Sequence, residues 1–295
     1  MKTKLLFLIA TLFIAVGTWA QSEDMLSTPL TFEAFEEGTL SFKNRSAGPV
    51  TYRVNGGETQ TVESMKEVEI PLAIDDKVEF FGDNATYYDE ENDKNSHFKM
   101  SSNCYIYGNI MSLISSSNFA TAKTLTGKRC FIKMFRDSHV RCHPTHELLL
   151  PATTLTEYCY YSMFEGSGGL SNVILPAPTL VEGCYAYMFR MPSSRLTSVT
   201  CLATDISATD ATLSWLGNPT TTGTFIKHPD MKDWPTGANG IPEGWTVVDY
   251  DPTGINATTA DTKKAATTTY DLRGMKSTGG KKGLKVVSGK KIITK

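Results

Sequence analysis

A chain of 295 residues that is 40% hydrophobic and 20% charged, with a net charge of −2, has the composition of an ordinary globular protein. So balanced a charge gives no electrostatic basis for nucleic acid or an anionic membrane surface as partner. Once an export segment is set aside, the remaining length predicts two domains.

Residues 1–20 have the pattern of a signal peptide: Lys2 and Lys4, an apolar run over 5–16, then Thr18-Trp19-Ala20 before a cut at Gln21. The apolar run is shorter than the roughly 20 residues that span a bilayer. The residue directly after the cut is Gln21 and not a cysteine, so a lipid-anchored precursor is not expected, and no other stretch is long and apolar enough to cross a membrane. The chain is therefore expected to be exported, either secreted or held at the cell surface, with no transmembrane segment after signal removal. Residues 21–110 read as strands joined by turns, with β-rich or alternating runs at 30–35, 39–43, 50–54, 59–62, 68–72, 77–81, 97–100 and 104–107. The clearest turn is Asn55-Gly56-Gly57, where Asn and Gly tolerate the positive φ of a tight hairpin. Many short strands at this spacing predict an Ig-like β-sandwich. A helix-like segment at 110–120 leads out of it.

Residues 111–250 are organised by repetition. Leu148-Leu149-Leu150-Pro151-Ala152 recurs as Val173-Ile174-Leu175-Pro176-Ala177, and Cys159-Tyr160-Tyr161-Ser162-Met163-Phe164 recurs as Cys184-Tyr185-Ala186-Tyr187-Met188-Phe189, both 25 residues on. A poorer copy begins at Cys130-Phe131-Ile132-Lys133-Met134-Phe135, and the signal fades at Leu196-Thr197-Ser198-Val199. This period falls in the leucine-rich-repeat range, one short strand and one short helix or turn per unit. Each proline marks a strand end, since it cannot donate to a ladder. Leu155, Cys159 and Met163 fall at i, i+4, i+8, as do Leu180, Cys184 and Met188, which predicts a short helix with each trio on its buried face. The expected fold class is mixed α/β: the N-terminal sandwich, then a short leucine-rich-repeat solenoid with a C-terminal cap. Strand-like segments at 225–227 and 245–248, with Trp215, Trp234 and Trp245, would form the cap that a solenoid needs. Residues 251–269, rich in Thr, Ala and Lys, read as a linker, and 270–295 as a compact β-prone tail.

Few side-chain constellations suggest chemistry. His139, Cys142, His143 and His146 place three of the five histidines within eight residues, ligand types that zinc accepts. Pro144 interrupts them and no second Cys/His pair lies nearby, so a surface loop is the simpler account and no metal or other cofactor is expected. The acidic run Asp89-Glu90-Glu91-Asn92-Asp93 lacks the spacing and central glycine of a calcium loop and reads as solvated. Cys159 and Cys184 are expected as buried thiols, although adjacent repeats would bring them within bonding distance. Tyr160, Tyr161, Tyr185 and Tyr187 are the candidate binding residues: either an exposed aromatic stripe for protein or glycan, or a covering for the flank of the repeats. No nucleophile elbow, phosphate loop or HExxH motif occurs, and no catalytic residues are assigned.

The unit at residues 150–166, Leu-Pro-Ala-Thr-Thr-Leu-Thr-Glu-Tyr-Cys-Tyr-Tyr-Ser-Met-Phe-Glu-Gly, resembles the repeat of BspA-like leucine-rich-repeat surface proteins of gut and oral bacteria. Where that family usually continues with Cys-Thr-Ser-Leu, this chain has Ser167-Gly168-Gly169-Leu170. The resemblance extends to Ile241-Pro242-Glu243-Gly244-Trp245-Thr246-Val247-Val248 and to the β-rich region before the repeats, while Tyr270-Asp271-Leu272-Arg273-Gly274 and the residues after it are similar to C-terminal sorting tails. It implies a non-catalytic surface or secreted protein that adheres to a host or neighbouring-cell extracellular protein. A glycan-binding accessory protein of the cell surface is the alternative.

Overall fold

The computed structural model describes residues 23–191, 195–217 and 222–252, together with the backbone of four strands between 269 and 294. The expected export signal at 1–20 and residues 253–268 of the expected linker lie outside the described residues. The chain divides into two compact units, residues 19–252 and a second made of 1–18 with 253–295.

The larger unit opens on one short helical turn, α1 (Glu23–Leu26), and then builds sheets. Strands β1 (Leu30–Ala34), β2 (Gly38–Lys43), β3 (Val50–Val54), β4 (Gln60–Val62), β5 (Glu67–Leu72), β6 (Lys77–Gly82), β7 (Tyr88–Asp89), β8 (Lys94–Asn95), β9 (His97–Met100) and β10 (Cys104–Asn109) follow in order. β10, β1, β6, β3 and β4 form one antiparallel run, and β5, β2 and β9 form a second sheet. Alternation along β1 and β6 sends Leu30, Phe32, Val78 and Phe80 inward, where they meet Leu40, Phe42 and Phe98 of the second sheet. Phe42 and Phe98 stack at 4.3 Å, and Phe80 meets Phe98 edge-on at 4.8 Å. The β3–β4 hairpin turns at Asn55 (φ 52°) and Gly56 (φ 67°), where the Asn-Gly pair places it.

β10 also belongs to a different arrangement. It pairs in parallel with β11 (Val140–Cys142) and β12 (Leu148–Leu149). Further on, β13 (Asn172–Leu175), β14 (Ser198–Cys201), β15 (Thr224–Lys227) and β16 (Thr246–Asp249) form a second parallel ladder in which Asn172 faces Ser198, Ser198 faces Thr224 and Thr224 faces Thr246. The segments at 225–227 and 245–248 thus continue the ladder as β15 and β16, where a separate cap was expected.

The expected mixed α/β class with a leucine-rich-repeat solenoid is corrected by this architecture: the described residues are nearly all β, in several sheets, no solenoid is found among them, and the repeat units contain no α-helix. The segment at 110–120 likewise holds only one 3-10 turn, Ile110–Leu113. In place of helices, each repeat runs through consecutive tight turns in which every fourth residue is left-handed: Arg129, Lys133 and Asp137; then Tyr158, Ser162 and Gly166; then Gly183 and Tyr187. Amide groups alternate between two kinds of acceptor. Met163 and Glu165 donate to carbonyls three residues back, whereas Tyr160, Ser162 and Phe164 donate to Cys184, Ala186 and Met188 of the next unit. A turn of four residues and an α-helix of 3.6 both return a side chain to the same face after one cycle, so the i, i+4, i+8 trios are buried as expected although the backbone differs.

No break in the core falls at residue 110. One cluster of buried side chains runs from Leu30 to Trp245. Phe135 lies 5.5 Å from Phe98 and 6.1 Å from Phe32, which joins the repeats to both antiparallel sheets. The smaller unit contains β17 (Thr269–Tyr270), β18 (Lys276–Ser277), β19 (Gly283–Val287) and β20 (Lys290–Thr294), paired antiparallel in the order β18-β17-β19-β20.

Candidate binding face

The four-residue turn decides which tyrosines reach solvent. In each copy of the Cys-aromatic-x-x-Met-Phe motif, the first, second, fifth and sixth residues point inward. Cys130, Phe131, Met134 and Phe135 are buried, as are Cys159, Tyr160, Met163 and Phe164, and Cys184, Tyr185, Met188 and Phe189. The second positions form an aromatic column, Tyr87–Phe131–Tyr160–Tyr185–Trp215, with successive ring centroids 6.0, 5.8, 5.9 and 6.3 Å apart. The sixth positions stack Phe135 on Phe164 at 5.1 Å and Phe164 on Phe189 at 5.4 Å. Tyr160 and Tyr185 are each only 1% exposed, and burial pushes both phenols well above their ordinary pKa. As candidate binding residues these two are corrected: they are core.

Tyr161 and Tyr187 occupy the outward positions and remain half-buried, meeting edge-on at 5.4 Å. They are not equivalent in the repeat. Tyr187 sits on the left-handed residue and Tyr161 on the one before it. Around them the structure gathers side chains that spacing did not single out. Tyr158 meets Tyr161 at 6.0 Å and donates its hydroxyl to Glu182. Arg129 lies over Tyr158 at 5.7 Å and over Tyr88 at 5.0 Å, and Arg190 lies over Tyr187 at 4.5 Å. Burial, then the neighbouring Tyr187 and Glu165, raise the Tyr161 phenol, and the bond to Glu182 raises that of Tyr158, so both stay neutral donors at physiological pH. Beyond Arg190, Glu165 accepts from its guanidinium, with Nε at 2.8 Å, and faces Arg136 at 3.4 Å. Arg136, Glu165 and Arg190 line a shallow groove with Asp137 and Ser214. The sequence signal for the added residues is positional: Tyr158 precedes Cys159 and Arg190 follows Phe189, each flanking the buried motif.

The histidine cluster separates. His143 and His146 approach each other, with Nδ1 atoms 3.0 Å apart, and both pack on Tyr107 at ring distances of 5.0 and 4.9 Å. His143 Nδ1 accepts the backbone N–H groups of Thr145 and His146, each at 3.1 Å, and its Nε2 lies 3.7 Å from Glu33. Burial and the adjacent His146 hold the His143 imidazole below its usual pKa. His139 instead places Nδ1 2.9 Å from the Met100 carbonyl, and Cys142 donates its thiol to Asn172. Among the described residues no group of three or more His, Cys, Asp or Glu side chains is arranged to hold a metal ion. Asp89 likewise spends its carboxylate on the backbone of Glu91 and Asn92 and on the Asn92 side chain.

All six cysteines are free thiols. Among the described residues no helix is long and apolar enough to cross a membrane. Comparison of the chain with known proteins finds no match: no protein-family model, no curated protein and no solved structure is similar to it.

Proposed function

We propose that the protein is a non-catalytic exported binding protein, secreted or held at the cell surface and related to the BspA-like proteins its repeat resembles. It adheres to an extracellular protein of a host or neighbouring cell through the tyrosine and arginine face. The observation that carries this reading is the unbroken series of contacts Tyr88–Arg129–Tyr158–Tyr161–Tyr187–Arg190. Tyr and Arg are the residues that most often dominate binding energy at protein interfaces, and rings already held by their neighbours lose little freedom on docking. None of these side chains belongs to the buried core.

The test is binding of the mature chain to immobilised extracellular-matrix proteins, compared with a Tyr161→Ala, Tyr187→Ala, Arg190→Ala variant. The variant is expected to keep its melting temperature within a few degrees and to bind at least about thirtyfold more weakly, the loss of one hot spot of about 2 kcal/mol. Equal binding of the two proteins would remove the face from consideration. The alternative partner, a glycan stacked on the same rings, would reveal itself as hits on a glycan array that vanish in the variant.

A further inference from the structure

A second groove of about 290 Å³ opens along β13 and β14. Ile174 and Thr200 are register partners across these strands and form its floor. Pro151, Pro176, Leu202 and Tyr250 form its walls, and Lys123 stands at its edge. The Lys123 backbone is fixed, because its carbonyl accepts the N–H groups of Thr153 at 2.8 Å and Thr154 at 3.1 Å. Its side chain is half-buried, and among the described residues its ammonium has no carboxylate, carbonyl or hydroxyl partner. Burial alone accounts for the lowering of its pKa. A half-buried cation without a counter-charge is disfavoured, and an anion placed beside it would relieve that cost.

We propose that this groove binds an aliphatic monocarboxylate, a medium-chain fatty acid, with the carboxylate on Lys123 and the tail along Ile174, Pro176 and Leu202. The lining selects this chemistry over a peptide. The prolines offer no N–H, and the hydroxyls of Thr153, Thr200 and Tyr250 are few against the amides and carbonyls of an extended peptide, whereas a fatty acid has one polar end and needs one polar partner. The volume lies at the lower limit of ligand pockets, roughly 300 to 1,000 Å³, which favours a chain of moderate length over a larger lipid. The inference is independent of the adhesive face, which shares no residue with the groove.

Calorimetric titration of the mature chain tests it with four probes: decanoate, decanol, acetate and a short apolar peptide with a free C-terminus. Decanoate is expected to bind below its micelle concentration, decanol about ten- to a hundredfold more weakly for want of the charged contact, and acetate not at all. Lys123→Met should weaken decanoate by the same factor and leave decanol unchanged. Leu202→Gln should weaken both while the circular dichroism spectrum stays that of the parent. Equal affinity for decanoate and decanol, an unaffected Lys123→Met variant, absence of decanoate binding, or tighter binding of the peptide would each overturn the proposal.

Discussion

The buried thiols show how one side chain can be packing material and a pH sensor together. Cys130, Cys159, Cys184 and Cys201 are all fully buried, with no bond between any two. Burial pushes the thiols of Cys184 and Cys201 up to about 12, and that of Cys104 likewise. An unfolded cysteine ionises near 8.5. With the folded pKa raised, the contribution of each thiol to stability is complete below the unfolded value and is lost as pH climbs toward the folded one, because the native state then holds protons that the unfolded state releases. The unfolding free energy should therefore fall between pH 9 and 11, by on the order of 1 kcal/mol per pH unit for each buried thiol. Urea titrations at pH 8, 9.5 and 11 would show it, and a flat profile would contradict the burial. At pH 8 a thiol reagent should label half-exposed Cys142 first and reach all six cysteines only after unfolding.

The repeated turn is held against a local cost. A left-handed conformation costs a residue with a Cβ about 1–2 kcal/mol, and each unit adopts it at every fourth position. The opposing terms are the amides donated to the next unit and the apolar columns that those bonds bring into register. Glycine already occupies some of these positions, with Gly166 at φ 77° and Gly183 at φ 58°. Gly166→Ala is expected to lower stability by about 1–2 kcal/mol, and Lys133→Gly, at φ 53° without glycine, to raise it by about 0.5–1 kcal/mol after the extra entropy of the unfolded glycine is subtracted. Chemical denaturation of the two variants checks both signs; changes in the same direction would show that the backbone conformation is not what limits these positions. The spacing of Leu155, Cys159 and Met163 made the buried face legible, yet it suggested a helix because eight residues cannot separate a period of 4 from one of 3.6. The glycines in phase with the motif were the available sign of a turn.

Across residues 19–252 the shared core makes the antiparallel sheets and the repeats one cooperative body. Phe135 stacks on Phe98 at one side and on Phe164 at the other, so neither part can unfold without exposing the other's aromatic surface. Trp215, Trp234 and Trp245 lie near the far end of the ladder, away from the phenylalanine cluster of the antiparallel sheets. Tryptophan fluorescence and far-ultraviolet circular dichroism should accordingly report one coincident transition in urea; two separated midpoints would mean that the parts fold independently. The proposed adhesive face spans only a few repeats, so display of many copies would raise its avidity well beyond the affinity of one.

The repeat period, the buried identity of its Cys, Met and Phe positions and the Asn55-Gly56 hairpin follow from local chemistry, where spacing and residue type decide alone. Three features depend on contacts between segments far apart in the chain. Tyr160 and Tyr185 are separated from Tyr161 and Tyr187 by a turn whose conformation the neighbouring units impose. Arg129 and Arg190 are brought to the tyrosines by the stacking of successive units. Lys123 comes to line one groove with Ile174 and Leu202 because parallel strands pair residues 26 apart, Ile174 beside Thr200. Hydrophobic order along a chain fixes what must be buried, but the direction of an exposed side chain is settled by the register of the strands that carry it.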